Sequence, residues 1–195
     1  MKRIFDIVCS LAGLVVLLPF FVLIALAIVV SSGLPVFYFQ TRVGKGNRDF
    51  KLFKFRTMHT GADRKGLLTV GGRDPRVTAV GYYLRKYKLD ELPQLFNVLL
   101  GSMSLVGPRP EVRKYVQLYN AEQMKVLSVK PGITDLASLR FINENEILAQ
   151  SADPEKTYIE EIMPEKLALN KEYIEHPSLA ADFKIILATL RRIVS

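Results

Sequence analysis

The sequence predicts an α+β fold: an apolar membrane-entering segment over residues 1–34, then one mostly helical domain over 35–195 that carries a small β-hairpin and interfacial amphipathic helices. Three observations predict it. No charged side chain occurs from Ile7 to Val30, a run as long as a bilayer's hydrocarbon core demands. Two aromatic-rich stretches flank Gly44-Lys45-Gly46-Asn47, the pattern of strand, turn and strand. Beyond them, short apolar-periodic segments are punctuated by Gly and Pro, as short helices are.

Composition bounds the chemistry. A chain of 195 residues has room for one compact domain beside a membrane element. Its net charge of +8 calls for an anionic partner, whether nucleic acid, acidic lipid head groups or phosphorylated substrates. Cys9 is the single cysteine and lies in the apolar run, so an intramolecular disulfide is excluded and a reducing, cytoplasm-facing location fits. With only His59 and His176 present, Ser–His and multi-His metal arrangements have little to build on. Neither a cysteine cluster with zinc spacing, a dinucleotide glycine fingerprint nor an Asp-x-Asp pair occurs.

The first element admits two shapes. Its length allows a straight span, and prolines are tolerated in spanning helices. Against that, Pro19 falls near the middle, where it removes a helix hydrogen bond and leaves two halves too short for a core of ~30 Å. Lys2 and Arg3 precede the run while Arg42, Lys45, Arg48, Lys51, Lys54 and Arg56 follow it, so a single span exports one basic group against the positive-inside tendency. A helix-break-helix that dips into one leaflet and returns, broken at Pro19, satisfies both constraints. A cleaved signal peptide is set aside, because the run is too long and Val29-Val30-Ser31-Ser32 lacks a small-x-small cleavage site.

The hairpin follows, with strands over Val36–Phe39 and Phe50–Arg56; its turn lacks the spacing of a nucleotide P-loop. Residues 59–76 are polar and broken by Gly61, Gly66, Gly71, Gly72 and Pro75, a long surface loop. Val77 to Lys88 reads as a helix that sets Arg85 about one turn before Asp90. A second helix runs through Leu92, Leu95, Phe96, Leu99 and Leu100 to Gly101, with Asp90 near its N-cap and Pro93 in its first turn. Glu111 to Ser128 reads as one amphipathic helix with Tyr115 and Tyr119 as core aromatics, and Phe141 to Tyr173 as two short helices broken by Pro154 and Pro164. Last, Leu179, Phe183, Ile186, Leu187, Leu190 and Ile193 form an apolar stripe, suited equally to a membrane interface and to packing on the core.

Read alone, Asp90 is a helix cap and Glu91 answers the helix dipole. Their surroundings add another reading. Arg85, Lys86 and Lys88 precede the pair, and Arg109 stands between Pro108 and Pro110, which restrict the backbone on both sides. An Asp kept ionised by such cations can act as a nucleophile beside a metal-binding carboxylate, while the arginines hold phosphates.

The run Leu89-Asp90-Glu91-Leu92-Pro93-Gln94-Leu95-Phe96-Asn97-Val98-Leu99, followed by Ser102-Met103-Ser104-Leu105-Val106-Gly107-Pro108-Arg109-Pro110, resembles the signature of the bacterial sugar transferases, the monotopic phosphoglycosyl transferases. The similarity extends to Val36-Phe37 through Arg42-Val43-Gly44, Lys54-Phe55-Arg56-Thr57-Met58, Asp74-Pro75-Arg76 and Lys130-Pro131-Gly132-Ile133-Thr134. This resemblance implies a re-entrant N-terminal helix. It also implies an enzyme that moves a sugar-1-phosphate from a nucleoside diphosphate sugar, UDP-linked, to polyprenol phosphate. Asp90 would form a covalent phosphosugar, Glu91 with Asp90 would bind Mg²⁺, and Lys54, Arg56, Arg85 and Arg109 would bind substrate phosphates.

The implied setting is the cytoplasmic face of the bacterial inner membrane, with phospholipids and no nucleic acid as partners; a homo-oligomer is compatible with it. The chain departs from the family pattern at Asp135, where Gly is usual, at Arg140-Phe141-Ile142-Asn143, in a longer segment before Pro164, and at Asn170, where Asp is usual. A non-enzymatic, membrane-anchored basic module that binds acidic lipid or nucleic acid is the alternative. It differs in requiring the lysines and arginines but not Asp90.

Overall fold

A computed structural model describes residues 1–62, 68 and 74–194, excluding the side chains of 193 and 194. Helices dominate, with two small two-stranded sheets. The predicted glycines at 66, 71 and 72 and the Ile193 side chain lie outside the described residues.

Helix α1 (Lys2–Ser32) continues through Pro19 without interruption. The break predicted at Pro19 is therefore a proline within a continuous helix: the ring removes one N–H donor, and the other turns keep theirs. Most of α1 is exposed, including Val15, Val16, Leu18, Leu23 and Leu26, while Asp6, Ser10, Phe21 and Ile28 face inward. Such an apolar exposed surface is not that of a soluble protein's core helix.

Both ends of α1 are tied to the rest of the chain. Near its start, the Arg3 guanidinium donates to the carbonyls of Val98 (2.5 Å) and Leu99 (2.9 Å), and Asp6 accepts from Ser104 Oγ and the Leu105 N–H. Near its end, Arg56 donates to the carbonyl oxygens of Ser32, Gly33 and Leu34 and to Ser32 Oγ. Between them Phe21 packs on Phe55, ring centroids 5.1 Å apart.

The predicted hairpin is present: β1 (Phe37–Val43) pairs antiparallel with β2 (Asp49–Phe55), Phe37 opposite Phe55 and Val43 opposite Asp49. After it, the two ends of the predicted loop are closed by a Met58–Val77 bridge and by the His59 N–H on the Arg76 carbonyl. Thr78 caps α2 (Ala79–Lys86) by accepting the Gly81 N–H.

Asp90 does not cap a helix. It sits in a 3₁₀ turn over Leu89–Glu91, entered by Lys88 in the left-handed conformation, and α3 (Gln94–Leu100) starts only after Pro93. Pro93 fits ahead of the first full turn, where no N–H is needed. Helix α3 ends as predicted at Gly101, whose φ of +90° suits a residue without Cβ.

Asn97 on α3 supplies the missing pairs of the free edge of β2. Its Oδ1 accepts the Phe53 N–H at 2.9 Å, and its Nδ2 donates to the Lys51 carbonyl at 2.7 Å. This fixes the distance between β2, which carries Lys54, and the turn that carries Asp90. Replacing Asn97 by Leu strips two partners from a part-buried strand edge, and a stability loss of about 1–3 kcal/mol is expected in denaturant titration.

Strand β3 (Ser104–Val106) runs parallel to β4 (Gly132–Thr134). There the backbones touch: a Cβ on Gly132 would lie 2.1 Å from the Gly107 nitrogen. This close approach brings the Pro108-Arg109-Pro110 segment against the chain after β4.

The predicted single helix over 111–128 is instead one turn, α4 (Arg113–Val116), and a 3₁₀ segment over Gln123–Ser128. Asn120 and Gln123 exchange side-chain-to-backbone hydrogen bonds at 2.9 Å in both directions, which turns the chain between them. Tyr115 is a core residue as expected, packed on Tyr158. Further on come α5 (Leu136–Arg140), α6 (Glu144–Ala149), α7 (Pro154–Thr157) and α8 (Met163–Glu175). Pro154 starts α7 after its Asp153 cap. Pro164 breaks nothing, because Tyr158–Ile162 widen into a π-helical turn that links α7 to α8.

The final helix, α9 (Leu179–Val194), turns Asp182 and Ile185 inward. Asp182 binds Lys2 at 2.5 Å and accepts from the Tyr173 hydroxyl, so α9 packs on the domain through Asp182 and Ile185 outside the predicted stripe and through Ile186 within it. Within that stripe, Leu179, Phe183, Leu187 and Leu190 remain exposed.

Candidate active site

All six predicted catalytic and binding residues border one cleft of about 960 Å³, five of them being Lys54 from β2, Arg85 from α2, Asp90 and Glu91 from the 3₁₀ turn, and Arg109 from the segment after β3. Arg56 also borders the cleft, but its guanidinium is engaged by the end of α1. That geometry gives Arg56 the work of a helix C-cap, which Lys/Arg side chains near terminal carbonyls perform.

The two neighbouring carboxylates are treated differently. Glu91 is gripped by Arg109 through both guanidinium nitrogens, with Nη1 at 2.9 Å from Oε2, and Lys54 Nζ lies 3.4 Å from Oε1. Asp90 is 7% exposed and accepts no hydrogen bond from any described residue. Burial pushes the Asp90 carboxyl above the usual carboxylate range; Glu91 adds to the rise, while Lys54, Arg85 and Lys88 oppose it. Burial acts the same way on Glu91, but Arg109 and Lys54 outweigh it and hold Glu91 well below the usual range. Lys54 is itself lowered, chiefly by burial, with Glu91 and Asp90 resisting.

Thus the cations expected to keep both carboxylates ionised favour one of them. Their side chains reach Glu91, and Asp90 is left poorly solvated and without a direct partner among the described residues. An anion in that condition is a stronger nucleophile than a solvated one, since little must be stripped from it before attack.

Arg109 is held independently of Glu91. Its backbone N–H donates to Asp135 Oδ2 at 3.0 Å, and Asp135 Oδ1 accepts the Ser138 N–H at 2.6 Å as the N-cap of α5. In sequence Asp135 is a departure from the family's usual glycine, and an Asp directly before Leu136-Ala137-Ser138-Leu139-Arg140 is the one local sign of a helix cap. Lys88 is the other residue undervalued in sequence, because its left-handed backbone, which aims it beside Asp90, leaves no mark there.

Among the described residues, no three His, Cys, Asp or Glu side chains converge on one point. The pair nevertheless fits Mg²⁺, an ion that takes one or two carboxylates and completes its shell with phosphate oxygens and water. Asp90 has unengaged oxygens for it, whereas Glu91 reaches a metal only by exchanging Arg109 or Lys54.

A long, largely exposed apolar helix, docked at both ends on a small α+β domain, suggests a membrane-associated protein, and the cleft of that domain sets two carboxylates among basic residues. The chain belongs to the bacterial sugar transferase family, whose model matches residues 1–195. It is 38% identical over 197 residues to the UDP-N-acetylgalactosamine-undecaprenyl-phosphate N-acetylgalactosaminephosphotransferase of Aeromonas hydrophila, covering 100% of this chain and 44% of that protein. Identity is also 38% to the UDP-glucose:undecaprenyl-phosphate glucose-1-phosphate transferase of Caulobacter vibrioides, covering 97% of this chain and 68% of the relative. The exopolysaccharide production protein PSS of Rhizobium leguminosarum bv. phaseoli is 38% identical, covering 97% and 93%. The chain thus spans less than half the length of some relatives and nearly all of others.

Proposed function

We propose that this chain transfers a sugar-1-phosphate from a UDP-sugar to undecaprenyl phosphate at the cytoplasmic face of the bacterial inner membrane, the first membrane step of glycan assembly. The observation that carries this reading is the contrast between Asp90, buried without a partner among the described residues, and Glu91, paired twice. The names of the relatives support the substrate classes.

In the first step a carboxylate oxygen of Asp90 attacks the β-phosphorus, the bond from that phosphorus to the bridging oxygen breaks, and UMP leaves. Asp90 then carries the phosphosugar as an acyl phosphate. In the second step a phosphate oxygen of undecaprenyl phosphate attacks the same phosphorus and displaces the Asp90 carboxylate, giving undecaprenyl diphosphate sugar. Arg109 and Lys54, held by Glu91, orient the diphosphate; Arg85 and Lys88 lie on the Asp90 side. Asp90 and Glu91 would hold Mg²⁺, which would supply positive charge to the diphosphate oxygens.

The acceptor's phosphate must reach Asp90 while its tail remains in lipid. For that reason we propose that α1, though helical throughout, bends at Pro19 and returns to the face it enters: Arg3 and Asp6 tie one end, and Arg56 the other, to a single domain. A crossing helix of about 46 Å would carry those ends to opposite faces. The exposed apolar residues of α9, such as Phe183 and Leu190, then lie at the interface. Epitopes added before Met1 and after Ser195 are expected to be reached from the same side of oriented vesicles; protection of only one supports a span instead.

The decisive experiment incubates detergent-solubilised protein and Mg²⁺ with a panel of UDP-sugars and records intact mass and released UMP. A mass gain of one phosphosugar, absent from Asp90→Asn, is expected. No UMP from any donor, even with a short polyprenol phosphate added, would favour the basic-module reading.

A further inference from the structure

Helix α5 packs on α8, and where both border the cleft they present polar side-chain atoms that no described residue engages. Asn170 on α8 is 4% exposed, borders the cleft and makes no hydrogen bond with any described residue; its Oδ1 is fully buried and unpartnered. The Ser138 hydroxyl on α5 borders the same cleft and is also buried and unpartnered. Buried polar groups are nearly always satisfied, and an unmet one destabilises the fold. Two in one wall of one cleft therefore require an explanation.

Their position supplies it. Asp135, which grips the Arg109 N–H, accepts the Ser138 N–H with its other oxygen, so Ser138 lies in the helical turn capped by the residue that fixes Arg109. A donor whose diphosphate lies on Arg109 has the Ser138 turn beside it, and its adjoining groups share the cleft that Asn170 also borders. The wall is neutral where it is unpaired: Lys166, one turn before Asn170, is neutralised by Glu144 at 2.8 Å. An amide oxygen repels phosphate, and a hydroxyl or acetamido group can both donate to and accept from an amide–hydroxyl pair. Because the Asn amide torsion is broad, either end of the amide can turn to the cleft.

We propose that Asn170 and Ser138 form the subsite that reads the hydroxyl or acetamido groups of the donor sugar, and so set which sugar is transferred. This rests on the transferase reading above. A site that hydrogen-bonds a substrate hydroxyl discriminates strongly against a donor that lacks it or points it elsewhere.

The test measures kcat/KM for a panel of UDP-sugars that differ at one hydroxyl or acetamido group, using the full chain with polyprenol phosphate and Mg²⁺. Asn170→Leu and Ser138→Ala are each expected to compress the preference between such donors by about tenfold. Inhibition by UMP, which carries no sugar, should stay as in the parent, and the thermal midpoint of Asn170→Leu should not fall, since an unmet amide is removed. An unchanged donor ratio with equal losses for all donors overturns the subsite. So does weaker UMP inhibition with an unchanged ratio, which assigns the wall to the nucleoside. Should Asn170→Leu fail to fold, Ser138→Ala carries the same readout. If the parent chain turns over no donor, the transferase reading fails and the subsite with it; an active parent with unaltered variant ratios refutes the subsite alone.

Discussion

Replacing Asp90 by Asn is expected to lower turnover by about 10⁴-fold or more, the scale on which removal of a covalent nucleophile acts, without loss of stability. The geometry separates these outcomes. Asp90 accepts no hydrogen bond from a described residue, so Asn breaks none, and it removes a charge whose burial is unfavourable. Because burial raises the folded-state pKa of Asp90 above its unfolded value, ionising it costs stability as pH rises through the folded pKa. At neutral pH and above, the variant should therefore melt no lower than the parent. Equal melting with lost UMP release supports the nucleophile; retained UMP release removes Asp90 from the mechanism.

The same shift sets the acid limb of the pH profile. Only ionised Asp90 can attack, so kcat/KM should begin to fall at a pH above the usual carboxylate range. Lys54 is the leading cation opposing the rise. Lys54→Met is expected to move the acid limb to higher pH as well as lower the rate, whereas a residue that only holds phosphate would lower the rate and leave the limb in place.

The sequence made most of this site legible because its parts are contiguous: Lys54, Arg85, Asp90, Glu91 and Arg109 lie in short motifs with strong charge contrasts. The hairpin and the Gly101 helix end were also readable, since aromatic strands and a glycine stop act locally. Long-range partners were not. Whether Arg56 meets a substrate or the carbonyls of Ser32, Gly33 and Leu34 depends on where α1 ends in space, which no local pattern states. In the same way the 111–128 segment has helical periodicity, yet reciprocal Asn120–Gln123 hydrogen bonds turn it. Pro164 appeared to be a breaker, and the π turn before it absorbs the lost donor. The α9 stripe was read correctly as apolar, but Asp182, a charged residue outside it, anchors the helix by meeting Lys2 from the opposite end of the chain.

Glu91 holds Arg109 and Lys54 in place and is proposed to take part in the chemistry, and a double-mutant cycle with Arg109 divides the two roles. Glu91→Gln leaves Arg109 and Lys54 without their shared counter-charge, with side chains only 31% and 17% exposed. A stability loss of about 2–4 kcal/mol is expected at pH 7, since breaking a largely buried pair strands the survivors. The sign follows from the depressed pKa of Glu91: its contribution is complete above the unfolded pKa and is lost only as pH falls through the folded one, far into acid. Arg109→Met should cost a comparable amount by stranding Glu91. With both replaced, no charge of the pair is left unmatched, so the double variant should recover about 1–3 kcal/mol relative to the sum of the singles. Turnover should not recover with it, because the diphosphate has lost its bidentate partner and Lys54 its anchor. A coupling near zero would mean that Arg109 and Glu91 act separately. Recovered turnover in the double variant would show that the pair only stabilises the fold, leaving Lys54, Arg85 and Lys88 to hold the phosphates.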